Sequence, residues 1–202
     1  MTDVTYTGYH ATNRKNGISI LKNGYDKSIS KKIDDQWLGD GVYFWIDDYY
    51  AVEWLIIKHI NNEMILKSKI TTKREKILDL SSPEGNVLYN FFIDELTKKY
   101  KDDESMQEAI EKNDDRIWMN ILEDKGFFDI FDVVIATYKK VIINKHQEDN
   151  FYNFIKCEQR QVCVKNINSI QQTVEYCDKE RINELKDIIT FNRKRKGVDI
   201  YE

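Results

Sequence analysis

The chain has 202 residues, enough for a sizeable core, and its 12% aromatic content sets it apart from disordered chains despite 33% charged residues. A formal net charge of -4 excludes a bulk polycation, so any nucleic-acid contact needs a local basic patch. Cys157, Cys163 and Cys177 form no CxxC and match no common zinc spacing, which points to free thiols in a reducing compartment and to no metal site.

In chain order, Val4 to Tyr9 alternates β-branched and aromatic residues and reads as a strand, with His10 at its end. Asn13 is placed to cap a helix over Arg14–Leu21 that stops at Asn23-Gly24. Residues 25–36 are polar and irregular, a loop. Val42–Trp45 is a short apolar strand. Asp47-Asp48 then opens a helix reaching about Asn61, with acids at the favourable end of its dipole. Met64–Ile70 and Lys76–Leu80 are expected strands. Ser82 precedes Pro83 at a helix start, and that helix runs to about Lys99. A second helix is expected from about Ser105 to Asp124. Phe131–Thr137 is a dense apolar run, a buried strand. Gln161–Lys165 and Ile170–Tyr176 alternate as strands, and Asp178–Ile189 is helical. Strands at both ends flank a helical middle of about 82–125. That order predicts an α+β fold in a single domain over 1–202.

No apolar run approaches the ~18 residues of a membrane span, and no basic n-region with an apolar core opens the sequence. A cytoplasmic location with no membrane partner is the expectation. There is no GxGxxG and no GxxxxGK, so the chain lacks the glycine loops of Rossmann and P-loop nucleotide binders. His59 and His146 lie far from His10 without ligand spacing. Arg193-Lys194-Arg195-Lys196 is a basic tail that tilts weakly towards nucleic acid.

Three segments carry chemistry. Tyr9-His10-Ala11-Thr12 ends the first strand, and the imidazole can bond a ribose hydroxyl. Trp37-Leu38-Gly39-Asp40-Gly41-Val42-Tyr43-Phe44-Trp45 is a glycine-paired loop feeding an aromatic strand. Alternation sends Tyr43 and Trp45 to one side and Phe44 to the other. Trp54, on the following helix, can fold back towards Tyr43 to make a slot for a flat ring such as nicotinamide. Cys157-Glu158-Gln159-Arg160-Gln161-Val162-Cys163-Val164-Lys165 places polar residues at the start of an alternating strand.

Together these segments resemble the three signatures of the diphtheria-toxin-like and PARP-like ADP-ribosyltransferases, whose motif is His-Tyr-Glu. Gly39-Asp40-Gly41-Val42-Tyr43-Phe44 is similar to that family's Gly-x-Gly-Ile-Tyr-Phe block. The resemblance implies a split antiparallel sheet with a helical insert at about 82–125, and NAD as co-substrate. It implies that His10 bonds the adenosine-side ribose and that the backbone of Ala11, where the family has glycine, bonds the nicotinamide amide. Tyr43 and Trp54 would sandwich the nicotinamide ring. At the third position Gln161 stands where the family has glutamate. Gln161 can bond ribose hydroxyls but cannot supply charge or act as a base, a loss of about 2.7–4 kcal/mol for one such electrostatic contact. Glu158 is the alternative third residue, provided a bulge or turn brings it to the face of Gln161. The implied activity is mono-ADP-ribosyl transfer to a protein or nucleic-acid acceptor. The small, Lys/Ile/Asn-rich composition points to a microbial setting, a toxin or defence effector, for which an antitoxin would be a partner. The rivals are an inactive module that binds NAD or ADP-ribose, and an NAD glycohydrolase.

Overall fold

The alternating residues of the first strand, β1 (Asp3–Asn13), run on past His10 because the partner strand β3 (Glu63–Lys73) pairs with them throughout, from Asp3↔Lys73 to Asn13↔Glu63. His10 therefore sits inside a strand and not at its end. The computed structural model describes residues 2–26, 37–101, 103–104, 107, 110–111, 115–142 and 155–195. The loop expected over 25–36 lies outside them from residue 27 on. So do parts of the helix expected from Ser105, His146, and Lys196 of the basic tail.

The protein is α+β, with a mixed, mostly antiparallel sheet of seven strands and five α-helices among the described residues. The remaining strands are β2 (Val42–Trp45), β4 (Ile77–Asp79), β5 (Val133–Ile142), β6 (Ile155–Val164) and β7 (Ile170–Glu175). The order across the sheet is β4-β5-β6-β2-β1-β3-β7, and among the described residues only β4 and β5 pair in parallel.

The helix signals act where the sequence places them. In α1 (Arg14–Asn23), Asn13 Oδ1 accepts from Asn16 N at 2.9 Å, and the Gly24 amide closes the far end on Ile20 O. Asp47 caps α2 (Asp48–Ile57) by accepting from Tyr49 N at 2.8 Å. This helix ends four residues before the expected Asn61. His59 and Asn62 take φ of 49° and 50°, and Ile60 N bonds Leu55 O, which turns the chain into β3. Ser82 Oγ accepts from Gly85 N to start α3 (Pro83–Lys99). Helix α4 (Asp115–Asp124) follows, and α5 (Lys179–Arg195) closes the described chain.

Packing divides the sheet into two halves. On one face, α3 and α4 cover β4-β5-β6 through Leu88, Phe92, Met119 and Leu122 against Val134 and Cys163. On the same face α2 and α5 cover β1-β3, with Val52, Leu55, Leu185 and Ile189 packed on Ile65. On the other face the two halves fold towards each other. Phe44, Ile70, Val133, Ile135 and Val162 form one cluster, and Thr72 of β3 donates to Asp132, just before β5, at 2.6 Å. Each fully buried side chain of that size stabilises the fold by about 1.5–3 kcal/mol. No helix among the described residues is long and apolar enough to cross a membrane.

Candidate functional site

The seam between the two halves is open. β1 pairs with β3 over its whole length but meets β2 at one position, Tyr9↔Trp45. Beyond it the strands part, and carbonyls facing the gap lose their ladder partners. The imidazole of His10 fills that gap: its Nδ1 lies 2.9 Å from the Tyr43 carbonyl. A carbonyl only accepts, so Nδ1 carries the hydrogen and Nε2 is left as an acceptor. Burial lowers the His10 pKa, against a smaller opposing effect of the carbonyl bond, and this favours the neutral ring. Tyr25 stands edge-on to His10 at 5.4 Å, and its hydroxyl shares a bond with Ser68 Oγ. Burial pushes the Tyr25 phenol up to about 12.

A cavity of about 790 Å³ occupies the seam, within the size range of small-ligand and cofactor sites. His10, Ala11 and Thr12 of β1 form one side, and Gly41, Val42, Tyr43 and Trp45 form the other. Gln161 of β6 and Trp54 of α2 complete that end. Asn16, Ser19, Ile20 and Asn23, one face of α1, line the opposite end together with Tyr25 and Asp26.

Five of the six sequence-predicted site residues thus line one space: His10, Ala11, Tyr43, Trp54 and Gln161. By register Tyr43, Trp45 and Gln161 share one face of the sheet, since Trp45 is paired both with Gln161 and with Tyr9. His10 and Phe44 are on the other face, 5.8 Å apart. The cavity passes between the strands and collects residues from both faces. Phe44, 1% exposed, packs behind as core.

Tyr43 offers its ring and not its hydroxyl. The hydroxyl accepts from Leu38 N at 2.8 Å and donates to Gly39 O at 2.6 Å, so it ties down the turn that delivers it. Burial holds its pKa far above the usual phenol value, which removes it as a proton carrier. Gly39 has φ 72°, the left-handed conformation that the turn requires. At Gly41 a Cβ would run into Cys163 Sγ and lie 2.8 Å from Val164 O. The far side of the turn is held by Glu123, which accepts from Asp40 N and pairs with the buried Lys165.

Gln161 is 6% exposed, and its Oε1 has no hydrogen-bond partner among the described residues. A buried carbonyl oxygen left bare costs about 1–3 kcal/mol; the oxygen itself is fully buried, while other parts of the Gln161 residue line the cavity. Glu158 does not join it. The register of β5 and β6 is unbroken from Val133↔Val164 to Ile142↔Ile155, with no bulge to turn Glu158 round. It faces the opposite side of β6 from Gln161, is exposed, and is absent from the cavity wall. Trp54 tilts against Trp45 at 6.4 Å, so Trp45 is a cavity aromatic as well as Tyr43 and Trp54.

Sequence reasoning missed the polar face of α1 and Thr12. The signal was present: Asn16, Ser19 and Asn23 recur at helical spacing without charge. Among the described residues no group of three or more His, Cys, Asp or Glu is placed to hold a metal ion.

No family model matches the chain. No solved structure matches it either. The chain is similar to the uncharacterized protein MJ0359 of Methanocaldococcus jannaschii, 26% identical over 198 residues, which covers 90% of this chain and 91% of that one.

Proposed function

We propose that this protein is an NAD-dependent mono-ADP-ribosyltransferase, acting on a protein or nucleic-acid acceptor with release of nicotinamide. The observation that carries this reading is the open seam between β1 and β2. One imidazole, two aromatic rings and Gln161, whose buried oxygen has no hydrogen-bond partner among the described residues, line a single cavity there. NAD brings an ADP-ribosyl group attached to a good leaving group; the residues here bind and orient it. Tyr43 and Trp54 hold the nicotinamide ring, and Nε2 of His10 accepts from a hydroxyl of the far ribose. Gln161 Oε1 accepts from a hydroxyl of the near ribose. Asn16, Ser19 and Asn23 supply hydrogen bonds at the other end of the cavity. A dinucleotide gripped at both ends is bent at its middle, and most of the acceleration comes from that positioning.

Gln161 also favours a second reading, a module that binds NAD or ADP-ribose without turning it over. The test is incubation of the protein with adenylate-labelled NAD and cell lysate. The expected result is label on a macromolecule together with free nicotinamide, and digestion with nuclease or protease identifies the acceptor. Bound NAD with neither product supports the module. Free ADP-ribose without macromolecular label supports a glycohydrolase. Absence of NAD binding sinks all three.

A further inference from the structure

Glu123 and Lys165 form the most deeply buried ion pair among the described residues, and both lie against the turn that delivers Tyr43. We infer that this pair positions the Tyr43 ring, and that through it α4, in the helical middle of the chain, sets how tightly the cavity holds its ligand. This rests on the reading of Tyr43 above as a residue that holds a flat ring.

The contacts lead step by step from the pair to the ring. Lys165 follows the last residue of β6, and its side chain is 3% exposed. Its Nζ lies 2.5 Å from Glu123 Oε2 and 4.4 Å from the centre of the Phe128 ring. The same Glu123 oxygen accepts from Asp40 N at 3.2 Å. A Cβ added to Gly39 would run into that oxygen and lie 2.9 Å from Lys165 Nζ, so the pair is packed on the left-handed residue of the turn. Gly39 O accepts from the Tyr43 hydroxyl at 2.6 Å, and that hydroxyl accepts from Leu38 N. The root of the side chain is fixed separately, by the pairing of Tyr43 with Cys163 on β6. The ring is thus held at one end by the sheet and at the other by a turn that rests on Glu123.

Stability alone does not account for the pair. Taking an ammonium and a carboxylate out of water is costly, and apolar side chains of similar volume in their place often leave a fold as stable or more so. What an apolar pair cannot supply is an acceptor for the Asp40 amide. The carboxylate, oriented by the ammonium, gives that amide an acceptor in one fixed place. A ring that stacks on a ligand needs such fixing, since a misplacement of about 1 Å caused far from the chemistry can cost a hundredfold in rate. Glu123 lies in the last turn of α4, and none of the described cavity residues comes from the helical middle. That region reaches the site through this carboxylate.

The experiment uses the full chain and two paired variants. Glu123→Leu with Lys165→Met removes the pair, and Glu123→Gln with Lys165→Met keeps an acceptor for the Asp40 amide. Glu95→Gln with Lys98→Met, in an exposed pair on α3, is the control. Amide hydrogen exchange at Leu38 and Asp40 is compared with that of β1 and β3, and NAD affinity is read from indole fluorescence. In the unaltered chain both turn amides should be protected. In the apolar variant they should exchange on the order of tenfold faster, with β1 and β3 unchanged, and the Kd for NAD should rise on the order of tenfold. The glutamine variant should recover part of both, and the control should alter neither. Unchanged exchange or unchanged NAD affinity in the apolar variant overturns the inference. So do turn amides that exchange freely in the unaltered chain, and so does an acceleration spread evenly over the sheet, which marks general destabilisation. Failure of both paired variants to fold makes the pair a condition of the fold itself and also overturns it. If the unaltered chain does not bind NAD, the transferase reading falls, and the exchange measurement by itself decides whether the pair fixes the Tyr43 turn.

Discussion

His10 closes the seam with one nitrogen and faces the cavity as an acceptor with the other. Burial depresses its folded pKa, so the sign of its pH effect is fixed. Stability is fully present above the ordinary imidazole value near 6.5, where both states hold a neutral ring. It is lost as pH falls from there towards the depressed folded value, because the unfolded chain takes up the proton first. Urea midpoints between pH 8 and 5 should fall across that window in the unaltered chain, and His10→Gln should flatten that part of the profile. The same variant should lose nicotinamide release, since its amide does not restore the ring geometry. Tyr43 separates ring from hydroxyl. Tyr43→Phe leaves the Leu38 amide without its partner and should cost about 1–3 kcal/mol by denaturant melt. It should nevertheless retain NAD turnover. Tyr43→Ala removes the stacking ring and should abolish turnover. A Tyr43→Phe variant that is stable but inactive would mean the hydroxyl takes part in the chemistry.

At the scale of elements, the site is a junction. β2 is four residues long, held by β6 on one side and nearly free of β1 on the other, so the seam is where the sheet can admit a ligand. Helix α1 frames the far end with Asn16, Ser19, Ile20 and Asn23. Ser19→Phe puts a ring into the cavity without disturbing the helix core, where Gly17 packs on Met64. NAD affinity should drop roughly tenfold or more while stability stays within about 0.5 kcal/mol, as for other surface changes. Undiminished affinity by fluorescence titration would remove α1 from the site. Caps and short strands were legible in advance because Asn13, Asp47 and Ser82 act on amides two or three residues away. The start of β6 was not. The sequence puts its polar residues just before an alternating strand that opens at Gln161, and pairing with β5 along the whole length of β6 draws them into the sheet.

For the molecule as a whole, a ligand that bridges the two halves of the sheet should stabilise both. At a hundredfold excess over Kd, binding adds about 2.7 kcal/mol. For a chain of this size each kcal/mol raises Tm by roughly 2–4 °C. On the proposed reading, differential scanning should therefore register a rise of several degrees with NAD and a smaller one with nicotinamide alone, whose assigned place is the Tyr43–Trp54 end. Equal shifts would mean that only one end of the cavity is used.

From its amino acids alone the chain determined its α+β class, its helix starts, and the placing of Tyr43, Trp45 and Gln161 on strands of fixed alternation. These are local matters, governed by spacing, capping and side-chain branching. Only the tertiary structure decided that β1 and β2 part after one shared position and that a histidine ring replaces the missing backbone bond. It also decided that α1 turns its polar face to the gap and that Glu158 lies on the opposite side of β6 from Gln161. Those outcomes depend on register and helix docking between elements separated in the chain, 33 positions in the case of His10 and Tyr43, and no short-range pattern encodes them.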